Sequence, residues 1–488
     1  MHLIHPEPSM YKKNQNKQLA FSNFNQPLGL QLNPENRWIK KAETIPWDAI
    51  EERYAELFPS NRGVPAKPLR MALGSLIIQK QIGCSDRELV EQIMENPYFQ
   101  YFIGLPGYQM DPPFVPSLLV EFRKRLTADV MIDINEMILE YNSPDDPDDD
   151  DPNNSPSGEG SEGSSEKKNS GTLMLDATCA PQNIEFPQDI NLLNKSREDL
   201  EHIIDEICYE YNLKKPRMYR LNARADYLEL AKCKKRTGKR IRKAIKKQLQ
   251  YVRRDFRYID EFIAQEIEFD EKQLERIDVI RKVYEQQNYM YCNNTHTVPN
   301  RIVSISQPYI RPIVRGKAKN PTEFGAKLDL SIDNGFARVE KLSFDPYNES
   351  DVLIGAAEQY FKRNGHYPER ILADKIYRNR KNISFCKMHG IRLSGPALGR
   401  PKKDPRADKK IEYTDAVDRI EVERAFSLAK RSFGLGLITT KLECTTRSSI
   451  VLSIIAMNVD KLTKLSFMRF LLSIFQGTYV GLSFEPTC

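Results

Sequence analysis

A polar segment over residues 143–171 most constrains how this chain of 488 residues can fold. It opens with a run of aspartates and continues in Asn, Ser, Gly and Glu, with almost no apolar side chain. Such a segment cannot bury enough apolar surface to offset the entropy lost on ordering, so we predict a flexible linker rather than a metal site. We therefore expect a first domain over 1–142, a second over 172–465 and a tail over 466–488.

The composition favours a folded protein that meets a polyanion. Hydrophobic residues make up 40% of the chain, and 73 Lys and Arg residues face 67 Asp and Glu, a net charge of +6. The acidic linker offsets basic clusters elsewhere, and clustered cations are typical of nucleic-acid binding. The eight cysteines show no C-x-x-C pair or zinc spacing, which indicates a reduced, cytoplasmic chain. The sequence predicts no signal peptide, no membrane span and no nucleotide-binding P-loop.

The first domain is predicted to be all-helical. Apolar residues recur at helical spacing from Leu69, Gly83 ends that helix, and Ser85–Glu88 has the pattern of a capping box. Ser117 is placed to cap a third helix over 118–126, whose outer face should carry Arg123, Lys124 and Arg125. Short helices with a basic third member suit a DNA-binding module. A helical scaffold with solvated charges explains the same pattern.

The second domain is predicted to contain a sheet. Apolar runs end in an acid at Asp176 and again at Asp374, as expected of buried strands that carry a carboxylate to a sheet edge. A capping role for Asp176 is the simpler interpretation. Asn334–Gly335 predicts a type I′ hairpin. Further strands are predicted over Arg301–Ser306, Lys327–Ile332 and Ala337–Leu342, and structural roles are predicted for Asp329 and Asp333.

A basic helical insertion is predicted between these strands, over about 196–298. Between Lys232 and Arg257 there are 13 Lys or Arg and a single acid, Asp255. An ordinary solvated helix face is the alternative, but the imbalance of sign favours contact with DNA phosphates. The candidate phosphate-binding residues are Lys239, Arg240, Lys246 and Lys247.

The helix predicted over 418–430 carries a third carboxylate. One stripe of this helix combines cations and an acid, in the order Arg419, Glu423, Phe426 and Lys430. A surface helix with i, i+4 ion pairs would show the same pattern. Glu423 is the better candidate than Glu421, because Glu421 shares its face with apolar residues. An apolar helix is predicted to follow from Ser448.

Three carboxylates from distant parts of the chain could meet at one sheet edge: Asp176, Asp374 and Glu423. Carboxylate oxygens suit Mg²⁺ or Mn²⁺. Two such ions about 3.5–4 Å apart could activate an attacking oxygen and stabilise a leaving oxygen at phosphorus. No cluster of His or Cys offers a competing chemistry.

These residues resemble blocks found in bacterial insertion-sequence transposases of the DDE type. The most similar group is the one spelled out as IS eleven-eighty-two, among the wider IS-five relatives, with an InsH-type N-terminal domain. Arg419, Glu423 and Lys430 match the signature Y-x2-R-x3-E-x6-K, with Ala416 at the tyrosine position. The other matching blocks are Leu69–Leu126, Leu175–Thr178, Asp189–Asn194, Glu323–Lys327 and Ala373–Tyr377.

The resemblance implies an α/β fold: an RNase H-like mixed-sheet core with a helical insertion, after an all-helical N-terminal domain. It implies Asp176, Asp374 and Glu423 as ligands of two Mg²⁺ or Mn²⁺ ions, with Arg419 and Lys430 on phosphates. The expected substrates are double-stranded transposon ends, cleaved by water, and a target DNA joined to the 3′-hydroxyl. A homodimer on DNA in the bacterial nucleoid is expected. The alternatives are a metal-dependent nuclease without strand transfer and a decayed transposase that only binds DNA.

Overall fold

A computed structural model describes residues 24, 31–56, 66–143, 168–314, 322–395 and 406–479. Within these ranges it combines one mixed sheet with fifteen α-helices. The predicted α/β class is therefore confirmed. Most of the predicted acidic linker, residues 144–167, lies outside the described residues.

The N-terminal part is all-helical in its described residues, as predicted. Gly83 ends α3 in the left-handed conformation that glycine adopts without steric cost, and the side chain of Ser85 caps α4 by accepting the N–H of Glu88. Its helices are α1 Arg37–Glu43, α2 Trp47–Ala55, α3 Leu69–Ile82, α4 Asp86–Glu95, α5 Pro97–Phe102, α6 Leu118–Arg125 and α7 Ala128–Tyr141.

Arg123 corrects one sequence prediction in this region. It was expected on the outer face of α6, but only 7% of it is exposed. Its guanidinium donates to both carboxylate oxygens of Asp86, at 2.5 and 3.0 Å, and to Gln79 at 2.6 Å. A tertiary ion pair on α4 therefore draws this cation inward, which helical periodicity alone does not reveal.

Six strands form the sheet in the described part of the chain: β1 Thr172–Pro181, β2 Arg311–Val314, β3 Thr322–Asp333, β4 Phe336–Ser343, β5 Arg370–Leu372 and β6 Arg392–Leu393. Their order is β2-β3-β1-β5-β6, and β4 also pairs with β3. The β1–β3 pair is antiparallel, whereas β1–β5 and β5–β6 are parallel. Asn334 and Gly335 both have positive φ (51° and 79°), so the predicted hairpin between β3 and β4 is confirmed.

The predicted strand Arg301–Ser306 is wrong, because these residues form no strand and pack against a helix of the insertion. The side chain of Gln286 accepts the N–H of Ile302 at 2.9 Å and donates to its carbonyl oxygen at 2.8 Å. Arg276 donates to the carbonyl of Ile305. A helix thus satisfies the backbone groups that a strand neighbour would otherwise have satisfied.

The insertion is helical, as predicted, and has its own hydrophobic core. Its helices are α8 Asp189–Glu210, α9 Arg220–Ala231, α10 Gly238–Ala264 and α11 Glu271–Cys292. The first helix begins at Asp189 rather than near Ser196. The Asp189 carboxylate accepts from Arg301 at 2.6 Å and from Gln287 at 2.9 Å, and these tertiary contacts hold the first turn in place.

Helices cover both faces of the sheet. One face packs against α12 Val352–Asn364, and α13 Arg380–Met388 lies beside β6. The other face packs against α14 Arg406–Ser432 through Val422, Phe426 and Ala429. These three side chains follow the i, i+4, i+7 spacing of a buried helix stripe.

The last helix, α15 Glu443–Tyr479, joins the N-terminal helices to the sheet. Val451, Ile455 and Val459 belong to the core of the N-terminal helices, whereas Ile450 and Ile454 belong to the core between sheet and α14. The Asn458 amide donates to Asn135 of α7 at 2.9 Å and to the carbonyl of Ala337 in β4 at 2.7 Å. The helix also passes the predicted boundary at residue 465 without a break.

Candidate active site

Asp176 and Asp374 occupy matching levels of two neighbouring parallel strands. The β1–β5 pairing aligns Leu173 with Ile371 and Met174 with Leu372, and each aspartate lies two residues further on. Asp374 follows the end of β5, as predicted, whereas Asp176 lies inside β1, which continues to Pro181. Side chains alternate along a strand, so Asp176 shares its face with Met174, which packs in the core beneath α14.

Ion pairs attach the middle of α14 to the same edge of the sheet. Arg370 of β5 contacts Asp418 at 2.8 Å and Asp415 at 3.3 Å. Arg392 of β6 donates to both oxygens of Asp415, at 2.6 and 2.8 Å. Only about 6% of the Asp415 side chain is exposed, although Arg392 is 42% exposed. The buried carboxylate at the centre of this network fixes the helix that carries Glu423.

Arg419 brings two of the predicted site residues together. Its guanidinium lies 3.3 Å from the Asp374 carboxylate and 3.8 Å from that of Glu423. Both carboxylates are more than half exposed, at 56% and 60%, whereas the Arg419 side chain is 26% exposed. The two acids therefore face solvent on either side of one cation.

Asp176 belongs to the same electrostatic environment. Burial raises the pKa of Asp176, while the N–H of Ala177, at 2.9 Å, and the charge of Arg419 lower it. The nearby carboxylates of Glu349 and Asp374 raise it further. All three predicted ligands thus interact with Arg419 or with one another, although the chain separates them by up to 247 residues (423 minus 176).

The donor set fits a hard divalent cation in chemistry, because every candidate ligand is a carboxylate. Within the described ranges, however, no three His, Cys, Asp or Glu residues are spaced to hold a metal ion. The cation between Asp374 and Glu423 is Arg419 instead. Binding of a divalent ion by this set therefore requires Arg419 to release at least one carboxylate.

Behind the candidate site, the Asp329 carboxylate accepts hydrogen bonds from the hydroxyls of Tyr347 and Tyr377, and we call these three residues the clamp. Asp329 of β3 pairs with Ala177 of β1 and is 1% exposed. One of its carboxylate oxygens accepts the hydroxyl of Tyr377 at 2.8 Å, and the other accepts that of Tyr347. Tyr377 ends the 3₁₀ turn that starts directly after Asp374, so the clamp ties this turn to the strand beside Asp176.

Sequence reasoning assigned Asp329 a structural role but missed its tyrosine partners, and it missed Glu349 altogether. Glu349 begins a short 3₁₀ turn that Asn348 caps, and it pairs with Lys327 at 2.8 Å. Nothing in its local spacing distinguishes it from a surface acid. The Tyr377 position offered a stronger signal, because an aromatic residue three positions after a strand-end aspartate can fold back into the core.

The basic face of α10 contains most of the other predicted DNA contacts. Lys239, Arg240 and Lys246 are exposed, although Arg240 also donates to the Cys233 sulfur at 3.1 Å. Lys247 is half-buried and pairs with Asp226 at 2.5 Å, so an acid already balances its charge. Lys430 of α14 is half-buried.

We expect the double variant Lys243→Gln/Lys246→Gln to weaken binding of duplex DNA of any sequence. Both lysines are exposed on α10. The slope of log K against log salt should become shallower by about two, because two fewer phosphate charges are neutralised. Lys272→Gln, on an exposed part of α11 lined by Asp199, Glu206 and Asp270, should leave that slope unchanged. Equal slopes for the double variant and the wild type, measured by fluorescence anisotropy, would contradict this role for α10.

Two family models of transposase domains match parts of the chain. A family described as "Transposase DDE domain" matches residues 371–460, a range that contains Asp374 and Glu423 but not Asp176. A family described as "Transposase domain (DUF772)" matches residues 27–125, within the N-terminal helices. Together the matches support an insertion-sequence DDE transposase, a class of DNA-binding enzymes that generally use divalent metal ions.

A curated protein from Rhizobium meliloti, "Uncharacterized protein ORF8 in nfe locus", is 25% identical over 178 residues. The similarity covers 36% of this chain and 77% of that protein. No solved structure matches. No helix in the described ranges has an apolar stretch long enough to cross a bilayer.

Proposed function

We propose that the protein cleaves DNA at the ends of an insertion sequence and joins the freed 3′-hydroxyl to target DNA. Asp176, Asp374 and Glu423 would act as ligands of two divalent ions on an RNase H-like core. The observation that carries this proposal is the Arg419 guanidinium, which contacts two of these carboxylates. Its charge also acts on the third, Asp176, whose pKa is raised by burial and only partly lowered again by Arg419. The mixed sheet with helices on both faces supports the proposed core.

Divalent ions held there would supply the positive charge that an in-line displacement at phosphorus requires on its attacking and leaving oxygens. The residues of the chain position that chemistry. The β1–β5 register sets Asp176 and Asp374 side by side, and the Arg370–Asp415 network fixes α14 above them. Once Arg419 releases the carboxylates, its guanidinium is free for a phosphate of the transposon end, the role that the sequence signature assigns to it.

A strand-transfer assay tests this function directly. The full-length protein is incubated with Mg²⁺, a supercoiled plasmid and a labelled duplex that carries the inverted repeat flanking the coding region. Joint molecules between the duplex and the plasmid are expected. Cleavage without joint molecules would support a nuclease instead, and DNA binding without either product would support a decayed transposase. Asp374→Ala should abolish both cleavage and joining, and unchanged metal-dependent activity would contradict the site assignment.

We further propose that the active form on DNA is a homodimer. Each chain offers one set of three carboxylates, whereas an insertion sequence has two ends to process. Sedimentation of the protein with and without the end duplex measures this state. A complex containing one chain per joined pair of ends would contradict the proposal.

A further inference from the structure

A cleft between the N-terminal helices and the segment that links α14 to α15 falls outside the proposed catalytic site. Its volume is about 850 Å³, and it is bordered by α3 and α4 on one side and by the stretch from Gly434 to Ser449 on the other. Among its described lining residues, four are cationic and one is a carboxylate. These residues are Lys80, Arg87, Arg123, Lys441 and Asp86.

The two inner cations differ in how their charges are balanced. Arg123 is paired with the one carboxylate, Asp86, at 2.5 Å. The Lys80 ammonium donates to the hydroxyl of Ser449 at 2.8 Å, and no carboxylate in the described part of the chain pairs with it. Burial and, to a smaller extent, the charge of Arg123 lower the pKa of Lys80 to about 7. A shielded cation without a counter-charge is unfavourable unless it loses its proton or an anion binds beside it.

The lining also supplies neutral hydrogen-bond donors. Hydroxyl side chains of Ser85 and Ser449 line the cleft, and each can donate to an anionic oxygen. The hydroxyl of Thr445 also lines it but already donates to the carbonyl of Leu442 at 3.0 Å. Arg87 and Lys441 are exposed at its rim, where they would attract an anion from solvent. An oxyanion with several acceptor oxygens and more than one negative charge matches this set of donors best.

We propose that this cleft is a binding site for a phosphate group, with Lys80 as its central ligand. The phosphate belongs either to a DNA backbone or to a free phosphate-bearing molecule. The site does not depend on the proposed catalytic function, because it uses none of the three acids or Arg419.

Lys80→Met tests the proposal, with Lys362→Met on the exposed surface of α12 as the matched control. In phosphate-free buffer, Lys80→Met should melt at the same temperature as the wild type or higher, because it removes an unbalanced charge. Inorganic phosphate should raise the melting temperature of the wild type and the control beyond the effect of chloride at equal ionic strength. Titration calorimetry should show phosphate affinity at least about tenfold lower in Lys80→Met.

Duplex DNA of mixed sequence distinguishes the two sources of phosphate. If Lys80→Met weakens DNA binding, and inorganic phosphate competes with DNA for the wild type, the site holds a backbone phosphate. If phosphate binding is lost while DNA affinity is unchanged, the site serves a free phosphate-bearing molecule. The proposal is overturned if phosphate acts no differently from chloride on the wild type, or if Lys80→Met binds phosphate as tightly as the wild type.

Discussion

Glu423→Gln is expected to reduce metal-dependent cleavage of transposon-end DNA by about a thousandfold or more. The variant keeps the shape of the side chain but removes the charge that would hold a divalent ion, and such an ion contributes several kcal/mol to the transition state. Glu421→Gln, two residues away on α14, should retain nearly full activity. Glu421 contacts Lys461 at 3.3 Å, on the α15 side of the helix, and lines a groove with Val417 and Leu428.

The pair of variants is informative because both acids are on one helix and both lose one negative charge. A cleavage time course with labelled DNA, with helicity and DNA affinity measured in parallel, separates catalysis from folding and binding. The Asp176→Asn and Asp374→Asn variants should behave like Glu423→Gln. Equal activity of the Glu423 and Glu421 variants would remove Glu423 from the proposed ligand set.

Asp329→Ala is expected to lower the free energy of unfolding by about 2–4 kcal/mol, because it leaves the buried hydroxyl of Tyr377 and the half-buried hydroxyl of Tyr347 without their acceptor. It should also impair cleavage at limiting Mg²⁺, since the turn after Asp374 loses its anchor through Tyr377. Urea titration and the Mg²⁺ dependence of cleavage measure the two effects. Tyr347→Phe is the matched control, because it removes one hydroxyl from the same carboxylate but leaves the Asp374 turn attached.

Asp329→Asn separates the charge of the clamp from its hydrogen bonds. Burial raises the pKa of Asp329 from 3.8 to about 6, against the lowering effect of the two tyrosine hydroxyls. The folded state therefore binds more protons than the unfolded state between these values, and stability falls as pH rises from about 4 through about 6. The amide can still accept one hydroxyl and removes this contribution. If the unfolding free energies of Asp329→Asn and the wild type changed equally with pH, the raised pKa of Asp329 would not contribute to the pH dependence of stability.

Local sequence patterns were sufficient to predict the structural features that depend only on neighbouring residues. The hairpin at Asn334–Gly335, the end of α3 at Gly83 and the position of Asp374 after its strand all follow from spacing and from backbone preferences. Local patterns indicated an all-helical first domain and a sheet in the second, whereas the α/β core was implied by the family resemblance. The strand ends and the helix stripe raised the possibility that Asp374 and Glu423 meet, and the family resemblance implied it. Arg419 as the cation between them was not predicted, because it was expected on a phosphate.

Tertiary partners explain the predictions that were wrong or incomplete. Arg123 is buried because it forms an ion pair with Asp86 on another helix. Residues 301–306 form no strand because the side chain of Gln286 makes hydrogen bonds with their backbone. Helix α8 starts early because Arg301 holds Asp189. In each case a contact across more than ten positions overrides the local preference, and a single sequence gives no sign of such contacts.

The shared membership of α15 in two cores has a mechanical consequence. Val451 and Ile455 complete the core of the N-terminal helices, and Ile450 and Ile454 complete the core between the sheet and α14. Neither part can therefore move relative to α15 without disrupting a hydrophobic core. If the N-terminal helices bind DNA as predicted, that binding would be coupled through α15 to the sheet edge that carries the three acids. A chain truncated before Glu443 would lose α15 and would expose apolar surface in both cores.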